Sequence, residues 1–148
     1  MGFPYRHLDT RSKLLTTNRA SVRRDIRIQR PAGDVWKVVG DPTRVHEWFP
    51  GIVSCSVQGD ERVITNAAGQ VFTEKLLTLD PLQRRFQYEL DSPMCREHLG
   101  TIDVLELDDR SCLVVYGTDA EPATMALVIA GGAGAALERL RDLVEGGD

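Results

Sequence analysis

Cysteine, lysine, histidine and long apolar runs are all scarce in this 148-residue chain. The three cysteines, Cys55, Cys95 and Cys112, are far apart and odd in number. They make no metal or redox spacing, so a reduced cytoplasmic protein is expected. The longest apolar stretch, Ala123 to Ala136, is interrupted by Gly131, Gly132 and Gly134. It falls short of the roughly 20 residues a membrane span needs. The first residues lack the apolar run and small-residue cleavage site of a signal peptide. There is no Gly-rich phosphate loop, no G-x-S-x-G and no H-E-x-x-H. Of the histidines His7, His46 and His98, the first lies in an N-terminal extension, so a three-His zinc site is not expected. Neither a metal nor an organic cofactor is expected. What remains, 42% hydrophobic and 27% charged, is the composition of one ordinary soluble domain.

The net charge of −4 hides an asymmetry. Residues 1–30 hold eight Arg/Lys against two Asp/Glu, whereas residues 31–148 hold ten against twenty. The acidic body argues against nucleic-acid binding. The basic N-terminus suits either an acidic partner or an anionic membrane, or is simply a solvated tail followed by a strand with outward arginines. The preference for fifteen Arg over three Lys reads as genomic bias rather than function.

Residues 1–19 show no sustained period and are taken as an extension; residues 20–146 read as one domain. Val22, Ile26 and Ile28 alternate with Arg23, Asp25, Arg27 and Gln29, which predicts a half-buried strand. Pro31 then opens a short helix with Val35, Trp36, Val38 and Val39 at helical spacing. Asp41-Pro42 caps a second, whose apolar side is Val45, Trp48 and Phe49. Strands follow over 52–58, 62–66, 70–79, 84–90, 97–107 and 112–119, with turns short enough for antiparallel pairing. A helix over 123–145 completes the chain. Glycine costs about 1 kcal/mol each in a helix, so either a hinge at 131–134 or an ordered start near Ala133 is expected. Seven strands with one long helix predict an α+β fold, a curved antiparallel sheet around that helix, with a cavity between them.

The stretch with Pro31, Val35-Trp36, Asp41, and Trp48 with Pro50 resembles the SRPBCC superfamily of helix-grip proteins. So do T-E-K-L-L-T-L-D-P at 73–81 and H-L-G-T-I-D-V at 98–104. Lys75 stands where that family has Arg, and His98 where Tyr is usual. The resemblance covers about residues 20–145 and points to the polyketide cyclase/dehydrase-like branch. It implies the helix-grip fold, and it places Trp48, Phe49 and Pro50 near the mouth of a cavity. Because the fold hosts carriers, cyclases and protein-binding modules, it leaves the function open.

Candidate site residues follow from strand parity. If Phe72, Glu74 and Leu76 point inward, a carboxylate faces the cavity and suits hydrogen bonding or acid-base work. Otherwise Glu74 points out and pairs with an arginine of a neighbouring strand, because Val71, Leu77 and Leu79 make the other face equally apolar. His98 shares its parity with Ile102 and Val104, so it either faces in as a neutral imidazole or sits on the rim. Tyr88 lies on the face of Phe86 and Leu90 and lines the pocket or fills the core. Tyr116 and Met125 are further lining candidates, while Trp36 and Trp48 also suit locking the helices to the sheet. His46 is expected to be exposed. The first functional expectation is binding or transport of a hydrophobic or amphipathic small molecule: a lipid, isoprenoid, polyketide or aromatic metabolite. The alternatives are a polyketide cyclase/dehydratase using Glu74 or His98, and a protein-interaction module acting through the basic extension.

Overall fold

The computed structural model describes residues 19–146. The expected extension lies outside the described residues except for Arg19. Among the described residues seven strands form one sheet: β1 (Ala20–Ile28), β2 (Ile52–Gln58), β3 (Glu61–Asn66), β4 (Val71–Asp80), β5 (Arg85–Asp91), β6 (Glu97–Asp108) and β7 (Ser111–Glu121). Between β1 and β2 lie α1 (Ala32–Val39), a 3-10 turn (Pro42–Arg44) and α2 (Val45–Trp48). The last described element is α3 (Ala123–Gly146). The strand order is β1-β7-β6-β5-β4-β3-β2, with every neighbouring pair antiparallel. This is the α+β helix-grip arrangement that the element order predicts.

Local chemistry explains the short helices. Val35, Val38 and Val39 are buried on one side of α1. Asp41 caps the next turn: its Oδ1 accepts from the Thr43 backbone N–H at 3.0 Å and from Thr43 Oγ1 at 2.6 Å. The inner face of the sheet alternates as expected, with Ile102 and Val104 on β6 and Cys112, Val114 and Tyr116 on β7 all buried. The pairing of β4 with β5 shifts register between Leu76 and Thr78, a bulge that adds bend to the sheet.

One expectation fails. The helix is neither broken nor hinged at its glycines; α3 runs unbroken through Gly131, Gly132 and Gly134. Its stripe of Ala126, Ala130, Ala133, Ala136, Leu137 and Leu140 is buried. Packing of that stripe outweighs a glycine penalty of about 1 kcal/mol each. Gly132 also has a positive reason to lack a side chain, since a Cβ there would lie 3.3 Å from Phe49 Cζ. By length and composition α3 would pass as a membrane span, although a 14-residue run suggested otherwise. In the fold it is a core helix lying on β1 and β7. It packs directly on that half of the sheet only; over β3, β4 and β5 its Val128, Ile129 and Gly132 stand off and leave a gap.

Candidate functional site

The uncovered half of the sheet holds a cavity of about 340 Å³. Val45, Phe49, Ile52, Ile64, Phe72, Val128 and Ile129 supply its apolar wall. Arg62, Glu74, Tyr88, His98 and Tyr116 supply its buried polar part, with Asn66, tied to Ala68 and Gln70, at its edge. All five of these are buried, none more than 7% exposed.

Arg62 on β3 and Glu74 on β4 are direct cross-strand partners. Arg62 Nη2 donates to Glu74 Oε2 at 3.0 Å, and Arg62 Nη1 donates to the Pro42 carbonyl at 3.1 Å. The guanidinium also lies 5.3 Å from the ring centroids of both Phe86 and Tyr88. Arg62 is thus held between an ion pair, a carbonyl and two aromatic faces. The pair is singly rather than doubly bonded: Arg62 Nε is buried without a partner, and Glu74 Oε1 makes no hydrogen bond among the described residues. Burial holds the Glu74 carboxyl above its ordinary range, with Arg62 pulling the other way. Burial works to lower the Arg62 pKa, but the Glu74 carboxylate more than offsets it, so the guanidinium stays charged.

Tyr88 on β5 and Tyr116 on β7 reach across β6 to hydrogen-bond through their hydroxyls. They meet because β6 carries glycine between them: a Cβ at Gly100 would sit 2.5 Å from the Tyr88 ring. Burial pushes both hydroxyls well above the usual phenol range, and the Glu74 charge adds to this at each, so both stay neutral. One hydroxyl donates to the other, which leaves a single O–H free to donate elsewhere. His98 stands 5.5 Å from Tyr88, ring to ring. Its Nδ1 accepts the Leu90 backbone N–H at 2.9 Å, so in the neutral ring the proton sits on Nε2. Burial drives the His98 pKa down to about 4, with Asp119 pulling upward.

The structure therefore gathers Phe72, Glu74, Tyr88, His98 and Tyr116 around one space. Glu74 combines both orientations considered from sequence, facing inward and also pairing with a neighbouring-strand arginine. Two expected lining residues are corrected. Trp48 is buried behind the wall, 6.2 Å from the Tyr116 ring, because the tight α2 turn presents Val45 and Phe49 to the cavity instead. Met125 lies at the start of α3, beyond the end of the cavity; Val128, Ile129 and Gly132, one and two turns on, supply the helix contribution. His46 is half-buried rather than exposed, with Nδ1 3.5 Å from Cys55 Sγ. Arg62 was not anticipated. Its signal was parity with Ile64, masked by a position just after the Gly59-Asp60 turn, where an arginine reads as solvated. No cluster of three or more His, Cys, Asp or Glu suited to a metal occurs among the described residues.

A model of the polyketide cyclase / dehydrase and lipid transport family matches residues 19–145. The chain belongs to that family. No curated protein sequence matches it significantly. Among solved structures, this family member is similar to an uncharacterized protein of Bacillus thuringiensis, with 22% identity, a TM-score of 0.79, and coverage of 84% of this chain and 98% of that one. It is similar to an aromatase/cyclase, Zhui, from Streptomyces sp. R1128, with 18% identity, a TM-score of 0.72, and coverage of 86% and 94%. It is also similar to norcoclaurine synthase from Thalictrum flavum, solved with dopamine and hydroxybenzaldehyde, with 17% identity, a TM-score of 0.71, and coverage of 90% and 91%. At these identities the likeness is one of fold.

Proposed function

We propose that the protein binds and carries one small hydrophobic or amphipathic molecule between the sheet and α3. The observation that supports this most is an apolar wall ending on a fixed, buried polar cluster. Burial on the wall supplies affinity, at about 25 cal/mol per Å² of apolar surface, and the cluster orients one polar end. About 340 Å³ is near the small end of the range for ligand pockets, which favours a compact, ring-bearing polyketide, isoprenoid or aromatic metabolite over a long acyl chain. Native mass spectrometry of the purified protein, with solvent extraction, tests this. A co-purified apolar molecule, or saturable calorimetric binding of 2-naphthol, is expected. A protein that carries nothing and binds no small aromatic would overturn the reading.

A second reading, cyclase or dehydratase chemistry, is supported by Glu74. One of its carboxyl oxygens is unbonded in the cavity, and neutral tyrosine hydroxyls stand close enough to feel its charge. Such a site can take a proton from a ketone's α-carbon onto Glu74 while a tyrosine O–H stabilises the enolate. Glu74→Gln would then abolish turnover of a poly-β-keto substrate and spare binding; unchanged turnover rejects the assignment. Capture of a protein partner or an anionic membrane by the basic extension concerns residues that, Arg19 apart, lie outside the described ones. On the carrier reading, deleting residues 1–19 leaves small-molecule binding intact.

A further inference from the structure

The polar part of the cavity carries its own charge balance. Five strands bring ionisable groups to it: Arg62 from β3, Glu74 from β4, Tyr88 from β5, His98 from β6 and Tyr116 from β7. Arg62 and Glu74 cancel each other in an ion pair whose two side chains are each 3% exposed. The hydroxyls and the imidazole add no charge at neutral pH. A carboxylate or an ammonium entering this space would be a buried charge without a counter-charge, which is strongly unfavourable.

The same groups also leave a defined set of open hydrogen-bonding positions. Glu74 Oε1 is an acceptor without a donor among the described residues. The tyrosine pair has one O–H left over, and His98 holds a proton on Nε2 because Nδ1 is already used by the Leu90 amide. That makes one anionic acceptor and two donors; the tyrosine oxygens keep lone pairs as weaker acceptors, and the Arg62 Nε–H is too deeply buried for a ligand to reach. A hydroxyl has the complementary set, one proton to give and two lone pairs to receive. A ketone or ether would leave the Glu74 oxygen unpaired, and burying an unpaired polar group is costly.

Resting on the carrier reading, we infer that Arg62 and Glu74 make the cavity selective for an uncharged hydroxyl on an apolar body, a phenol, enol or alcohol, over the corresponding acid or amine. Arg62 is a specificity residue here through Glu74, whose charge it cancels. The pair is also the point at which selectivity can be rewritten, because removing either charge leaves the other to attract a ligand of opposite sign.

Isothermal titration at pH 7 of the full chain with 2-naphthol, 2-naphthoate, 2-naphthylmethylamine and naphthalene tests this. These share one ring system and differ in the headgroup. 2-Naphthol is expected to bind about 100-fold more tightly than the acid or the amine, the penalty for one uncompensated buried charge. It should bind about tenfold more tightly than naphthalene. In Glu74→Gln, which leaves Arg62 unbalanced, naphthoate should gain more than about 100-fold relative to naphthol and become the preferred probe. If Glu74→Gln does not fold, the wild-type ranking alone decides. Naphthoate or the amine matching naphthol in the wild type overturns the charge selection. Naphthalene matching naphthol overturns the hydroxyl selection. Either result leaves the carrier reading standing, whereas binding of none of the four removes both.

Discussion

The two halves of the sheet are built from similar strands and finished in opposite ways. Over β1 and β7 the inner face is closed by α3, whose buried alanines let helix and sheet backbones come close and whose Leu137 and Leu140 fill what is left. Over β3, β4 and β5 no helix packs directly; Val128 and Ile129 of α3 stand across a cavity whose sheet side is completed by long polar side chains and aromatic rings. Small apolar residues close a gap at low cost, while an Arg–Glu pair and two tyrosines hold one open. Their mutual hydrogen bonds fix them in place, and their polarity resists collapse. Stability should therefore concentrate in the first half and specificity in the second, with the ion pair serving as the second half's structural anchor.

The sharpest way to break this contrast is at that anchor. Arg62→Met leaves Glu74 buried and uncompensated and should cost about 3–5 kcal/mol in chemical denaturation. The double change Arg62→Met with Glu74→Leu should recover most of this, because no buried charge remains. Full loss in the double variant would mean that the site is held by the shape of these side chains and not by their charge. In the closed half, Leu140→Ala should cost about 2–5 kcal/mol by opening a void beneath α3, and naphthol affinity should not change in the protein that remains folded. Coupled loss of affinity would show that the two halves are not separable.

A pH titration of stability sharpens the same comparison. The folded protein keeps His98 neutral down to about pH 4, whereas the unfolded chain takes up that proton near 6.5. The contribution is full above about pH 6.5 and is lost as pH falls toward 4, a total of about 3 kcal/mol. Comparison with His98→Gln isolates it, since the variant's stability should fall less steeply across that window. Equal slopes would place the imidazole in contact with solvent. The smallest effect separates neighbouring glycines of α3. Gly131→Ala meets nothing within 4 Å and should gain up to about 1 kcal/mol in thermal stability. Gly132→Ala presses on Phe49 at the cavity wall, so it should gain less and weaken naphthol binding. Identical behaviour of the two would remove the close approach as the reason for glycine at 132.

What could be read from sequence was whatever local periodicity decides. The alternation of Val22, Ile26 and Ile28, the Asp41-Pro42 start and the apolar spacing of Leu137, Leu140 and Val144 each lie within one element, and the fold follows from their order. The site was legible only where parity had a single answer. For β4 it had two, because Val71, Leu77 and Leu79 make the outer face as apolar as the inner one. The choice is settled by neighbours on other strands, Ile64 on one side and Tyr88 on the other, and no spacing along β4 contains them. Arg62 is buried only because Glu74 arrives opposite it from the next strand. Trp48 and Phe49 are adjacent, so roughly 100° of helical turn decides which one meets the cavity. Met125 has the right face of α3 but the wrong turn, a matter of where the helix sits along the sheet. The glycines misled because propensity describes an isolated helix and α3 is not one.

The pairing of the first strand with the last has a consequence for synthesis. β1 finds its partner in β7, and Arg30, just after β1, donates to the carbonyls of Val144 at 3.0 Å and Glu145 at 2.9 Å near the end of α3. A ribosome delivers residue 20 long before residue 111, and the contacts that fasten β1 span nearly the whole domain. The meander of β2 through β6 can assemble as it emerges, but the chain's opening strand must wait, its backbone groups unpaired, until almost everything else has been made. Closing the domain is thus a late and nearly simultaneous event. It brings in β1, β7 and α3 together, and the cavity acquires the walls that Tyr116 and α3 supply only in that last step.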